Sequence, residues 1–107
     1  MIMFIGGRGS GKTRRCIEFS ARTRIPILCQ RPDFIKLYAK EHGLDIPGPI
    51  SYSEYLSGKG INLSSDRRVI IDELGLFLKL LGLSPEYVTI DESGNYITRD
   101  EEKKAST

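Results

Sequence analysis

The chain has 107 residues, 28% of them charged, and a formal net charge of +2, which is the size of one domain and the make-up of an ordinary soluble protein. That balance is not the basic stripe of a protein that lives on nucleic acid, so nucleic acid stays open as a partner without charge arguing for it. No stretch approaches the roughly 20 apolar residues of a membrane span, and no membrane partner is expected.

Along the chain, short apolar runs alternate with helical stretches, the pattern of an α/β domain with a mostly parallel sheet. Ile2-Met3-Phe4-Ile5 is continuously apolar and predicts a buried first strand. It lacks the basic region of a signal sequence and breaks at Gly6-Gly7, so the protein is expected in the cytoplasm. A helix is expected from about Lys12 to Arg22, with Cys16, Ile17, Ser20 and Ala21 inward. A second strand follows over Ile25–Cys29. Pro32 suits the first position of a helix and Gly43 its end, with Phe34, Leu37 and Tyr38 at core spacing between them. His42, the only histidine, reads as a C-terminal helix residue, and Cys16 and Cys29 read as core thiols.

Residues 44–50 form a loop or a short edge strand ending at Ile50-Ser51. Ser51 and Glu54 stand at capping-box spacing before a short helix through Leu56, and Ser57 to Asp66 is the best mobile-loop segment. Val69-Ile70-Ile71 predicts a strand, and an apolar helix over Leu74–Leu81 stops at Gly82. Tyr87–Ile90 reads as a strand turning through Glu92–Asn95 into Tyr96-Ile97-Thr98, a possible C-terminal hairpin. Residues 1–99 are thus expected to form one domain, and the charged tail 100–107 to be disordered.

Gly6-Gly7-Arg8-Gly9-Ser10-Gly11-Lys12-Thr13 matches in full the pattern of glycine, four residues, then Gly-Lys-Thr. A chance match in a chain of this length is on the order of a few in a thousand, and this one stands between a strand and a helix, as phosphate binding requires. Glycines let backbone N–H groups approach phosphate oxygens, and the helix start near Lys12 aims its free N–H groups and positive dipole end at the same charge. Lys12 is expected on the β- and γ-phosphates and the Thr13 hydroxyl on magnesium. Arg8 and Arg14 are further candidates for phosphate contact. Arg15 is another cation at the helix start, where a bound polyphosphate would reverse the unfavourable dipole interaction.

Val69-Ile70-Ile71-Asp72 is an apolar strand ending in a carboxylate. Ligands of parallel sheets sit beyond the carboxyl ends of strands, so Asp72 can share a rim with the glycine loop and contact magnesium. Glu73 is then the candidate base for the water attacking the γ-phosphate, its bland alternative being a carboxylate at the start of the next helix. Arg67 and Arg68 precede the strand and belong at the other edge, roughly 13 Å away.

Together, Phe4 through Thr13 and Val69 through Glu73 resemble P-loop NTPases with a catalytic glutamate after the Walker B aspartate. In length and layout the chain looks like the small single-domain ATPases of bacteriophages and prophages, over about residues 1–91. The resemblance implies a Rossmann-like three-layer sandwich in which the strand after Walker B inserts between the Walker A and Walker B strands. It also implies a polar γ-phosphate sensor, for which Thr89, Asp91 or Ser93 would stand, and a host-cytoplasm location if the protein is phage-encoded. The function expected is magnesium-dependent binding and hydrolysis of a nucleoside triphosphate such as ATP, in a homo-oligomer or with a protein partner. In such an assembly Arg8, Arg14, Arg15 or Arg24 could serve a neighbour. The competing readings are a nucleotide-dependent switch with little turnover and a nucleoside or nucleotide kinase.

Overall fold

A computed structural model of the chain describes residues 2–7, 9–58 and 67–89, with the backbone of 95–98. Arg8, residues 59–66 of the expected loop, residues 90–94 and the tail 100–107 lie outside the described residues. The elements are β1 (Ile2–Ile5), α1 (Lys12–Thr23), β2 (Ile27–Cys29), α2 (Pro32–Glu41), β3 (Ile50–Ser51), α3 (Tyr52–Ser57), β4 (Ile70–Ile71), α4 (Leu74–Leu80) and β5 (Asn95–Thr98). The chain is α/β, and every strand pair among the described residues is parallel. No helix among them is long and apolar enough to cross a membrane. The chain divides into two compact units, one of Met1–Lys12 with Pro85–Thr107 and one of Thr13–Ser84.

In the first unit β1 and β5 run parallel from Ile2 opposite Asn95 to Ile5 opposite Thr98. The hairpin reading is thereby corrected. Residues 87–89 have no regular structure, and Tyr87 and Val88 are exposed, so the expected first arm is absent there. β-Propensity makes Tyr87-Val88-Thr89 eligible for a strand, but a strand forms only where an edge accepts it, and the pairing with β1 belongs to 95–98.

In the second unit the strand order is β3-β2-β4. The central β2 buries all three of its residues. Ile25 and Pro26 fall before it, and Pro26 contributes only its carbonyl, which accepts from the Ile70 amide at 3.0 Å. The core joins Ile17 of α1, Ile27 and Cys29 of β2, and Ile35 and Ala39 of α2. Ser20 is fully buried but satisfied, its hydroxyl donating to the Ile25 carbonyl at 2.6 Å where the chain turns from α1 into β2.

α2 starts at Pro32 as expected, but its buried face differs from the sequence reading. Ile35 and Ala39, one helical turn apart, point inward with Tyr38 packed beside them, while Phe34 and Leu37 are about half exposed. Apolar residues at 34, 35, 37 and 38 fit two helix phases, and the narrow Ala39 lets the helix approach the sheet closely on one of them. His42 caps the helix C-terminus and stacks on Tyr38 at 4.1 Å between ring centroids. The Ser51 hydroxyl accepts the Glu54 amide at 3.0 Å and caps α3, which ends at Gly58 with φ 71°.

The observed phase makes a prediction opposite to the one pattern alone suggests. Ile35→Ala should cost about 3 kcal/mol of unfolding free energy, and Leu37→Ala less than about 1 kcal/mol. Urea titration of the two variants beside the parent checks the difference, and equal losses would contradict this helix phase.

Candidate functional site

The glycine loop leaves β1 at Ile5 and reaches α1 at Lys12. Gly9 and Gly11 hold φ of 77° and 84°, where side-chain-bearing residues are strained, and the Ser10 amide donates to the Gly7 carbonyl at 3.2 Å. A Cβ added at Gly6 would lie 2.5 Å from Ser10 Oγ and 2.7 Å from Ser10 Cβ, so only glycine fits this approach. The buried Ser10 hydroxyl has no hydrogen-bond partner among the described residues. An unsatisfied buried hydroxyl beside a turn of left-handed glycines fits a loop built around a polar ligand such as phosphate.

In the second unit the register sets Cys29 opposite Ser51, and the Asp72 amide donates to the Leu28 carbonyl at 3.0 Å. The carboxyl ends of β2, β3 and β4 therefore carry Cys29, Ser51 and Asp72 along one rim. Asp72 is only 9% exposed. Both of its carboxylate oxygens face α1: the Thr13 hydroxyl donates to Oδ2 at 3.2 Å, and the Cys16 thiol donates more weakly to Oδ1 at 3.9 Å. Thr13 and Cys16 are three residues apart and so share a helix face.

Adjacent ligands of an octahedral magnesium ion stand about 2.9 Å apart, given bonds of 2.0–2.1 Å. The separation of Thr13 Oγ1 and Asp72 Oδ2 is close to this, so the pair fits as two oxygen ligands of one such ion. No group of three or more His, Cys, Asp or Glu among the described residues is placed to hold a metal. A pair of oxygen donors fits an ion that keeps water or phosphate oxygens in its remaining positions, as magnesium does.

Burial is the main cause and the Asp72 carboxylate the next in three pKa shifts around the rim. The Cys16 thiol is pushed up to about 12, the Cys29 thiol to about 11, and the Tyr52 phenol is raised as well. All three groups are held neutral, and neither thiol has the character of a nucleophile.

Glu73 has φ 65° and ψ 69°, a left-handed conformation costing about 1–2 kcal/mol for a residue with a side chain. It occupies the N-cap of α4, but its side chain makes no capping hydrogen bond. A carboxylate at this position still favours the dipole of α4, so the bland reading stands beside the functional one.

The arginines divide by position. Arg14 donates to Glu18 at 2.8 Å on an exposed face of α1, and Glu18 raises its pKa. Arg24, at φ 62° just past α1, donates to the Asp45 carbonyl at 2.7 Å and pairs with its carboxylate at 3.5 Å. Arg67 and Arg68 are exposed and precede β4, at the end of the strand away from Asp72. Of the expected sensor residues, Thr89 is exposed without regular structure, and Asp91 and Ser93 lie outside the described residues.

No family model matches the chain, and no curated protein or solved structure matches it significantly.

The sequence reading missed two residues here. Cys16 was legible in principle, because a residue three after Thr13 on a helix shares its face. Tyr52 carried no such signal. It is buried, and its hydroxyl reaches the main-chain carbonyls of Asp72 and Glu73, the latter at 3.1 Å.

Two outcomes follow from this rim. The thiols of the unfolded chain ionise near 9.0, whereas the folded ones keep their protons to about 11 and 12. Their contribution is therefore complete below pH 9 and is lost as pH rises toward the folded values, with a slope of at most about 1.4 kcal/mol per pH unit for Cys16. Urea midpoints between pH 8 and pH 11 should fall steadily, and a flat profile would contradict the buried thiols. Separately, Glu73→Gly relieves about 1–2 kcal/mol of backbone strain against about 0.5–1 kcal/mol of added chain entropy. A small rise in midpoint is expected at neutral pH.

Proposed function

We propose that the chain binds a nucleoside triphosphate, ATP being the expected one, together with magnesium, and hydrolyses it as a minimal phage-type P-loop NTPase. The observation that carries the reading is the hydrogen bond from Thr13 to Asp72, residues 59 positions apart. It joins the last residue of the glycine loop to the strand-end carboxylate that the chemistry requires. The left-handed Gly9 and Gly11 and the unsatisfied Ser10 hydroxyl support the phosphate half of the reading.

In this reading the N–H groups of Gly6 through Thr13, with Arg8 and Arg14, bind the phosphates, and Lys12 neutralises the β- and γ-oxygens. Thr13 and Asp72 hold the metal, which when bound supplies charge neutralisation and orientation of the triphosphate. Glu73 accepts a proton from water as the water oxygen bonds to the γ-phosphorus and the bond to the bridging oxygen breaks. Glu73 is suited to this because it directly follows Asp72 and its backbone is held in an unfavourable conformation, as at many functional positions. A homo-oligomer or partner that supplies an arginine would raise turnover by a factor of roughly 10³–10⁵.

Phosphate release by the purified chain, beside binding of a non-hydrolysable ATP analogue, tests the reading. Lys12→Ala should abolish binding, and Asp72→Asn should remove its dependence on magnesium. Glu73→Gln should keep analogue affinity within about threefold and lower turnover about 100-fold. Magnesium-independent binding, or turnover unchanged in Glu73→Gln, would sink the proposal. Tight binding without any release would favour the switch reading instead.

A further inference from the structure

Tyr52 lies outside the glycine loop and the acidic pair, yet it is among the most buried side chains, with 1% of its surface exposed. It is the first residue of α3, immediately after β3, so the end of that strand delivers it to the sheet rim. Its ring packs on Phe77 of α4 at 5.1 Å between centroids, and Phe77 in turn meets Tyr55 at 6.3 Å. Its hydroxyl is shared between two successive carbonyl oxygens, those of Asp72 and Glu73.

That sharing has a backbone requirement. In extended chain, successive carbonyls point to opposite sides, and one hydroxyl cannot reach both. In a helical turn of either hand they point the same way. Glu73 has the left-handed form, with φ 65° and ψ 69°. The bifurcated hydrogen bond is therefore met by the left-handed residue and would be lost in an extended one.

We infer that Tyr52 is a positioning residue for Glu73: its hydroxyl holds the Asp72 and Glu73 carbonyls on one side, excludes the extended backbone at residue 73, and so fixes the direction in which that carboxylate leaves the chain. The role in catalysis rests on the hydrolysis reading above, whereas the hold on the backbone does not. Without the hydroxyl, the local preference of an L-residue returns, and at about 1–2 kcal/mol it suffices to depopulate the left-handed form roughly 5- to 30-fold. The Glu73 carbonyl also accepts the Leu76 amide at 3.0 Å, so α4 still begins there while the peptide before it is released. The metal ligands are affected less, because the Asp72 side chain is held from α1 and the Asp72 amide by β2.

The test is Tyr52→Phe in the full chain, which keeps the ring against Phe77 and removes one oxygen. Two measurements separate this inference from the hydrolysis reading: backbone carbon and nitrogen shifts of residue 73 in the nucleotide-free protein, and kcat beside analogue affinity. The expected result is a shift of residue 73 away from left-handed values, a fall in kcat of tenfold or more, and analogue affinity within threefold of the parent. Changed shifts in a protein whose parent hydrolyses nothing would uphold the hold on Glu73 and remove the hydrolysis reading. Unchanged shifts, or kcat and analogue affinity falling together, would overturn the inference.

Discussion

The hydrogen bond between the Thr13 hydroxyl and the Asp72 carboxylate is the interaction on which the functional account depends. It exists only because two unrelated constraints agree. One is the rotational phase of α1, set by burying Ile17 and Ser20, which turns Thr13 and Cys16 toward the rim of the sheet. The other is the register of β4 on β2, fixed by the Ile70 amide on the Pro26 carbonyl and the Asp72 amide on that of Leu28. A slip of one residue in that register would send the carboxylate to the other face of the sheet. A bond to a charged group is worth about 1.5–3 kcal/mol, which helps offset the cost of holding Asp72 nearly out of water.

The same rim treats its two adjacent acids differently. Asp72 is enclosed, with both oxygens facing donors on α1. Glu73 is placed through its backbone: its carbonyl accepts from a hydroxyl of α3 and from the Leu76 and Phe77 amides at the start of α4. Asp72 thus has its carboxylate oxygens fixed, whereas Glu73 has the direction of its backbone fixed. The surrounding Cys16, Cys29 and Tyr52 are all kept protonated by burial and by Asp72, so they add no further negative charge where a triphosphate would have to enter.

How much of this was legible in the sequence follows from where each constraint originates. The glycine turn after β1 and the strand running into Asp72 were readable because a glycine cluster and an apolar run closed by a carboxylate are local patterns. So was the start of α3, since the Ser51 cap is a contact three residues long. The buried face of α2 was not, because four apolar residues allow two phases and only the sheet chooses Ile35 and Ala39. The hairpin failed for a similar reason: strand propensity at 87–89 says nothing about which segment takes the edge of β1, and that segment is 95–98. Tyr52 was out of reach altogether, since nothing local marks a tyrosine whose partners lie 20 and 21 residues away.

The arginines show why a contact seen without ligand does not fix a residue's role. Arg14 is tied to Glu18 one turn along the same helix, with both side chains largely exposed. Such exposed pairs are weak because solvent screens them, and a charge-assisted bond to phosphate at a helix N-terminus is stronger. A triphosphate at the start of α1 would therefore draw Arg14 away from Glu18 at little cost. Arg24 is held differently, by a 2.7 Å bond to a main-chain carbonyl as well as by the Asp45 carboxylate, at the opposite end of the helix. Arg14 thus stands at the start of α1 in a weak, exposed pair, whereas Arg24 is a structural tie between α1 and the loop before β3.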